Sequence, residues 1–378
     1  MKRILFVSGT RADYGKIKPL IRALAESRKF EIHVAVTGMH MLPEYGLTRI
    51  EVERNKYCRV HSFVNTFDAQ DLARSFSVTV LEISNLLKEL TPSLIVVHGD
   101  RMEALAGAAA GLFNHILIGH IEGGEVSGTL DETMRHAITK LSNFHFVSNE
   151  EASKRVLQMG ERQENIFIIG SPEVDTMLSE DLPSWQTVKE HYGIPFDDFG
   201  FVIFHPDSSK KEQVKIHASF LVDNIRSRNE NFIIILPNND TWAADILDSY
   251  QTLPKLGNFI FLPSMRFEYY LTALRKSKFI IGNSSSGVRE APIFAVPTLD
   301  LGSRQENRNN AKSIIQSNFR KDDVEMFFTE HINQEFTPLM RFGRGDSASN
   351  FLSVLSSSSL LDSPTDKSFV GIEFEIGT

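Results

Sequence analysis

The chain has 378 residues, of which 42% are hydrophobic and 23% charged, with a formal net charge of −8. This is the balance of an ordinary globular protein, long enough for two domains, and its acidity argues against a general nucleic-acid or anionic-membrane surface. No stretch reaches the ~20 apolar residues of a membrane helix, the apolar start stops at Gly9-Thr-Arg11 before it could form a signal-peptide core, and the lone cysteine, Cys58, fits a reducing compartment, so a cytoplasmic protein is expected.

Short apolar runs alternate with longer helical patterns along the chain. Strands are predicted at Ile4–Ser8, Ile32–Val36, Leu94–His98, Ile116–Gly119, Phe144–Ser148 and Ile166–Ile169 in the first half. The second half carries Phe201–Phe204, Phe232–Leu236, Phe259–Leu262, Phe279–Ile281 and Thr298–Leu301. Runs apolar on both faces indicate buried parallel strands, and their alternation with helices indicates βαβ units. The pattern restarts after Gly170-Ser-Pro172. Two doubly wound, Rossmann-like domains facing across a cleft are therefore expected, 1–170 and 171–348, with a hinge near Gly170–Glu173. A helix over Ser349–Leu361 would pack back on the first domain.

Ligands of open α/β sheets sit outside the carboxyl ends of the strands, so the loops there carry the functional candidates. Ser8-Gly-Thr-Arg-Ala-Asp-Tyr-Gly15 precedes a helix expected from about Lys16. Arg11 there could fork onto a phosphate or carboxylate, or make an ordinary surface ion pair. Asp100 and Arg101 end the strand at His98, either as site residues or as a buried ion pair. His120-Ile-Glu-Gly-Gly-Glu125 continues to a helix opened by the capping-box pair Thr129 and Glu132. This segment delivers Glu122 and Asp131, and with Asp100 they make three carboxylates aimed at one crevice, a pattern suited to acid–base work. Asp131 alone would also suit the first turn of any helix. His136 reads as structural.

In the second half, His205 closes a strand and is a candidate, against the reading of a satisfied core histidine. Asn238 follows the next strand. Gly282-Asn-Ser-Ser-Ser-Gly-Val-Arg-Glu290 ends a strand with three hydroxyls. Ser284, Ser285 and the amides around Gly287 could grip a diphosphate, or the serines could simply cap a helix. Glu290 could accept from two ribose hydroxyls, and Arg304 could add charge to the same pocket. Histidines and carboxylates do not fall at recognised metal-ligand spacings.

Taken together, these motifs resemble the hydrolysing UDP-N-acetylglucosamine 2-epimerases that open bacterial sialic-acid biosynthesis. The matching pieces include Gly9-Thr-Arg-Ala-Asp-Tyr14, Thr37-Gly-Met-His40, His98-Gly-Asp-Arg101, His120 to Thr129, Arg135 to Leu141 and Ile169-Gly-Ser-Pro172. Pro237 to Asp240, Arg266 to Tyr269, Gly282 to Glu290 and Gly302-Ser-Arg-Gln305 complete the set. Glu122-Gly-Gly-Glu125 is the specific stretch, because the non-hydrolysing relatives typically have His-Val-Glu-Ala-Gly there. Departures from the family pattern are Asp207-Ser-Ser209 after Phe204-His-Pro206, and Asn307 before Arg308.

The resemblance implies the architecture of the B-type glycosyltransferases and UDP-N-acetylglucosamine as substrate, with UDP-N,N'-diacetylbacillosamine as the rival. It implies Asp100, Glu122 and Asp131 as acid–base carboxylates and His205 near the diphosphate. Arg11, Arg101, Asn238, Ser284, Ser285, Glu290 and Arg304 match the UDP-holding set. It implies no metal or redox cofactor, no nucleic-acid or membrane partner, and a homodimer or homotetramer.

Overall fold

The computed structural model describes all residues except 44–45, 66–70, 127–129, 207–210, 238–241, 255–256, 307, 358 and 372–378. The chain forms two compact units, Met1–Leu178 with Phe342–Thr378, and Ser179–Arg341.

The first unit is built on a seven-stranded sheet. Its strands are β1 (Lys2–Ser8), β2 (Phe30–Val36), β3 (Arg59–Ser62), β4 (Leu94–His98), β5 (Ile118–Ile121), β6 (Phe144–Val147) and β7 (Ile166–Ile168). All neighbours pair in parallel, in the order β3-β2-β1-β4-β5-β6-β7. The helices α1 (Arg11–Glu26), α2 (Arg49–Glu53), α3 (Leu72–Leu90), α4 (Met102–Phe113), α5 (Leu130–Leu141), α6 (Glu150–Gln158) and α7 (Pro172–Met177) follow the strands. Strand side chains alternate between two cores. Ile4, Phe6, Val34 and Val96 pack with Ile17 and Leu20 of α1, while Leu5, Val7, Ile95 and Val97 pack with Ile83 of α3 and Ala108 of α4. Burial on both faces is why these strands read as continuous apolar runs.

The second unit has α8 (Trp185–Tyr192), β8 (Gly200–Ile203), α9 (Val214–Arg226), β9 (Phe232–Ile235), α10 (Ala243–Tyr250), β10 (Phe259–Leu262) and α11 (Phe267–Lys276). After these come β11 (Phe279–Gly282), α12 (Ser285–Arg289), β12 (Thr298–Leu301), β13 (Ile314–Ser317) and α13 (Lys321–Thr329). Its parallel sheet runs β10-β9-β8-β11-β12-β13. Val202, Phe232, Phe279 and Leu299 face α9 and α13 on one side, and Phe201, Ile233 and Ile280 face α8 and α11 on the other.

The chain then returns to the first unit as α14 (Ser347–Ser357). Phe351 of α14 is fully buried, edge-on to Phe146 with ring centroids 4.6 Å apart. Burying one such ring stabilises the fold by roughly 2–3 kcal/mol. Beyond it, Lys367 donates to the carbonyls of Thr139, Lys140 and Ser142 at the end of α5 and pairs with buried Glu161 at 2.7 Å.

Four readings of the sequence are corrected. The edge strands β3 and β13 were not anticipated, because both are partly solvated and lack a buried apolar run. The first helix starts at Arg11 rather than near Lys16, because Thr10 caps it by accepting from the Asp13 amide at 3.2 Å. The helix expected at Ser349–Leu361 is α14, which starts at Ser347, where Asp175 accepts from the Ser347 and Ala348 amides at 3.0 and 2.7 Å. The first unit also runs on to Leu178 rather than to 170, since α7 packs on α1 and α14.

In each sheet the chain winds outward on one side of its first strand and then crosses to the other. The order therefore reverses between β1 and β4, and again between β8 and β11. Such switch points bring the loops after those strands together as binding crevices.

Candidate active site

At the first switch point the loop after β1 meets the loop after β4. His98, the last residue of β4, is buried between two carboxylates. Its Nδ1 lies 2.8 Å from Asp13 Oδ1 and its Nε2 lies 3.3 Å from Glu122 Oε2. Burial, the largest influence, opposes a charge on His98. The hydrogen bond with Asp13 and the contact with Glu122 together outweigh it and lift the imidazole to about 9. Asp13 is held below its ordinary value: burial would raise it, but the bond to His98 prevails.

Glu122 follows β5, is 5% exposed, and stands in the left-handed region at φ 61°. A side-chain-bearing residue there is strained, and such strain clusters at functional sites. Its amide donates to the Phe146 carbonyl at 3.0 Å, and the Ser171 hydroxyl donates to its Oε1. Gly124 beyond it has φ 77°, and a Cβ there would fall 2.3 Å from the Ala152 carbonyl oxygen. Glu125 is buried and accepts from Ser148 Oγ at 2.8 Å. The Glu-Gly-Gly-Glu stretch is thus packed by its second glycine and second glutamate, while Glu122 faces His98 and Ser171.

Asp100 lies just past β4 and is ion-paired with Arg135 of α5, not with Arg101, the pairing that stood as the alternative to a site role. Arg101 instead pairs with Glu103 at 3.2 Å. Asp131 occupies the exposed first turn of α5, one turn before Arg135 on the same face. The Arg135–Asp100 pair therefore draws the start of α5 to the end of β4. Buried His120 reinforces this. Burial pushes its imidazole down to about 3, so it is neutral; Nε2 donates to the Gly99 carbonyl at 2.8 Å and Nδ1 sits 3.1 Å from Thr139 Oγ1 of α5. Asp100, Glu122 and Asp131 thus ride on adjoining elements of one switch point. Arg11 pairs with Glu51 at 3.0 Å, the surface ion-pair alternative raised for it. Thr129, expected to cap α5, lies outside the described residues.

At the second switch point the loops after β8 and β11 are tied through Asn283. Its Oδ1 accepts from the His205 amide at 2.7 Å, its Nδ2 donates to the His205 carbonyl at 2.8 Å, and its own carbonyl accepts from Arg304 at 3.2 Å and Gln305 at 3.0 Å. His205 and Arg304 line a pocket with Phe204, Asn283, Gly302 and Phe319. Burial first, then the Arg304 charge, pushes His205 down to about 4, so it presents a neutral ring, and its Nδ1 has no partner among the described residues.

Ser284 caps α12 by accepting from the Ser286 amide at 3.3 Å, the capping alternative, while Ser285 stays half-buried at the helix start. Ser286 bonds the Tyr270 hydroxyl. Gly287 lets α12 lie on β12, where a Cβ would come within 2.8 Å of Thr298. Glu290 follows α12 and is buried. Asn238 and the departures Asp207–Ser209 and Asn307 lie outside the described residues.

Reasoning from sequence missed Asp13, His98, Arg135, Asn283 and Ser171 as site residues. The signal for His98 was present, since it precedes the Gly-Asp turn of a strand that the strand order places beside β1. Among the described residues no group of three or more His, Cys, Asp or Glu side chains is arranged to hold a metal ion, and no helix is long and apolar enough to cross a membrane.

A family profile described as UDP-N-acetylglucosamine 2-epimerase matches residues 22–356. The chain is 44% identical over 327 residues to the UDP-N-acetylglucosamine 2-epimerase of Neisseria meningitidis, covering 86% of each protein. It is 30% identical to the UDP-N,N'-diacetylbacillosamine 2-epimerase (hydrolyzing) of Legionella pneumophila, covering 88% of this chain and 90% of that one. It is 34% identical to polysialic acid biosynthesis protein P7 of Escherichia coli, covering 86% and 84%. Its fold matches the crystal structure of UDP-GlcNAc 2-epimerase from Neisseria meningitidis bound to UDP-GlcNAc, with a TM-score of 0.79 at 19% identity over 94% of this chain and all of that one.

Proposed function

The chain belongs to the UDP-N-acetylglucosamine 2-epimerase family, and from that premise we propose that it is the hydrolysing form, converting UDP-N-acetylglucosamine and water to N-acetylmannosamine and UDP. The observation that carries the reading is that Asp100 and Glu122 follow the neighbouring strands β4 and β5, with Asp131 opening the helix after β5, in a chain 44% identical to a UDP-N-acetylglucosamine 2-epimerase. The relative named as hydrolysing supports water as second substrate.

Carbon 2 of the sugar bears no neighbouring carbonyl, so its proton is not acidic enough for direct abstraction. Departure of UDP from carbon 1 with its bonding pair builds positive charge beside carbon 2. A carboxylate then takes that proton, and the C–H pair becomes the double bond of a 2-acetamidoglycal. Water adds its hydroxyl to carbon 1, and a proton returns to carbon 2 on the opposite face, which inverts it. Among Asp100, Glu122 and Asp131, Glu122 is the base in this reading, because it alone is buried and oriented by three neighbours. His205, Arg304, Ser284, Ser285 and Glu290 hold UDP, with Asn238, Arg11 and Arg101 assigned to the same role. A role in making a polysialic-acid precursor, a homodimeric or homotetrameric assembly and a cytoplasmic location belong to the reading as well.

The test is incubation with UDP-N-acetylglucosamine in deuterated water, followed by proton NMR. Free N-acetylmannosamine and UDP are expected together, with deuterium at carbon 2. Epimerised sugar still attached to UDP would overturn the hydrolytic reading. The Legionella relative favours a second substrate, UDP-N,N'-diacetylbacillosamine, and faster turnover of that sugar in the same assay would replace the first.

A further inference from the structure

The pair Asp13 and His98 is not among the residues that the proposed function assigns, yet it is the best-buried charged pair touching Glu122. Both of its carboxylate neighbours accept on their remaining oxygens. Asp13 Oδ2 takes the Gly9 amide at 3.2 Å, and Glu122 Oε1 takes the Ser171 hydroxyl. A neutral imidazole would turn a bare lone pair toward one of two carboxylates, whereas an imidazolium hydrogen-bonds Asp13 through Nδ1 and faces Glu122 through Nε2 as an ion pair at 3.3 Å that is not aligned as a hydrogen bond.

From this geometry we propose that His98, fixed as an imidazolium by Asp13, is the positioning residue of the acid–base centre: it orients the Glu122 carboxylate and is its permanent positive neighbour. The proposal deepens the reading of Glu122 as the base and rests on it. His98 itself transfers no proton and touches no reacting atom. A base must present an ionised carboxylate, and a fixed cation at 3.3 Å favours that form at a site where burial disfavours it. Ser171 holds the second oxygen, so the carboxylate has one orientation.

The groups facing His98 agree with a charge there. Asp13 of α1 and Glu122 after β5 are negative. Buried His40 is pushed down to about 4, chiefly by burial, and His120 to about 3, so neither adds a competing cation. Arg101 and Arg135 are the nearby positive groups, and each is engaged by its own carboxylate, Glu103 and Asp100. The ring itself is lifted to about 9, so it stays charged through the neutral range and releases its proton only on the alkaline side.

The experiment follows the imidazole directly. The full-length protein with 15N-labelled histidine is titrated by NMR, and His98 is assigned from its absence in His98→Gln. Both ring nitrogens are expected to carry protons from pH 6 to beyond 8, with deprotonation near 9. Asp13→Asn turns an amide donor toward Nδ1 and should lower that midpoint by roughly one to three pH units. The alkaline limb of kcat should move down by the same interval while KM stays within about twofold, a split that general destabilisation would not give. Ser171→Ala should lower kcat about tenfold without moving the limb. A neutral His98 at pH 7.5 in the wild type, or coincident pH profiles for wild type and Asp13→Asn, overturns the proposal. If Asp13→Asn fails to fold, the wild-type imidazole titration decides alone. If UDP-N-acetylglucosamine is not turned over at all, the substrate reading falls while the titration still judges His98.

Discussion

The two units repeat one architecture, a parallel sheet whose loops meet where the strand order reverses, but they furnish those loops with opposite chemistry. The first lines its switch point with charges paired to one another: buried Asp13, His98 and Glu122 in one chain of contacts, half-buried Asp100 with buried Arg135, and exposed Arg101 with buried Glu103. The second offers serine hydroxyls, amides, the Asn283 side chain and a neutral His205, with Arg304 as the cation at the pocket. Paired buried charges keep protonation states fixed against solvent, which proton transfer needs. Neutral donors with one partly exposed cation suit an anion that must arrive and leave. In the proposed reading, one fold thus serves for bond making in one unit and for grip in the other.

The sharpest way to break that division is Glu122→Gln. It removes the base and keeps the shape, so kcat should fall about a thousandfold while UDP affinity by calorimetry changes little. A fall of less than tenfold would end the assignment of proton chemistry to the first unit.

Next in size is the pH dependence of stability. The folded value of His98, about 9, lies above the unfolded value near 6.5. Its contribution is therefore complete below pH 6.5 and is lost as pH rises through 9, a fall of about 3 kcal/mol at most. Urea unfolding across that window should show the decline in the wild type and a shallower one in Asp13→Asn. In the second unit Asp300 acts in the same sense at lower pH, for a different cause. Burial, partly offset by Arg304 and Arg308, lifts its carboxyl to about 7, so stability there declines as pH rises from about 4 to 7, and Asp300→Asn should raise Tm at pH 8.

Arg304→Ala tests the gripping side. Losing one charged donor should weaken UDP binding by roughly 1.5–3 kcal/mol, or about 10- to 100-fold in Kd, with a smaller effect on kcat. An equal loss in kcat with UDP affinity kept would place Arg304 in the chemistry and blur the contrast. The smallest effect is expected from Lys367→Met, which removes the cation over the last carbonyls of α5. A loss of about 1–2 kcal/mol in chemical denaturation is expected, without change in kcat.

How much of this could be read from the chain differs between fold and site. Central strands announce themselves because both faces are buried: Leu94–His98 and Thr298–Leu301 have the bounds that periodicity assigned, as does the apolar edge strand Phe259–Leu262. The edge strands at Arg59 and Ile314 do not, since one side of each meets water and their composition is that of a loop. Asp100, Glu122 and Asp131 were legible as candidates because each follows or opens a regular element. The Asp13–His98 bond spans 85 residues and exists only because β4 crosses over to lie beside β1, a pairing that no local pattern encodes. Ser171 was legible only as part of a hinge, because its hydroxyl reaches Glu122 through folding of the whole first unit.

The return of α14 to the first sheet sets an order of biosynthesis. Phe351 completes the core that also holds Phe6 and Phe146, yet it leaves the ribosome after every residue of Ser179–Arg341. The second unit can close as a nascent chain, whereas the first must wait, its core open along the groove that α14 fills, until translation is nearly done. A stalled or prematurely terminated message would thus release a finished second unit joined to an aggregation-prone first one.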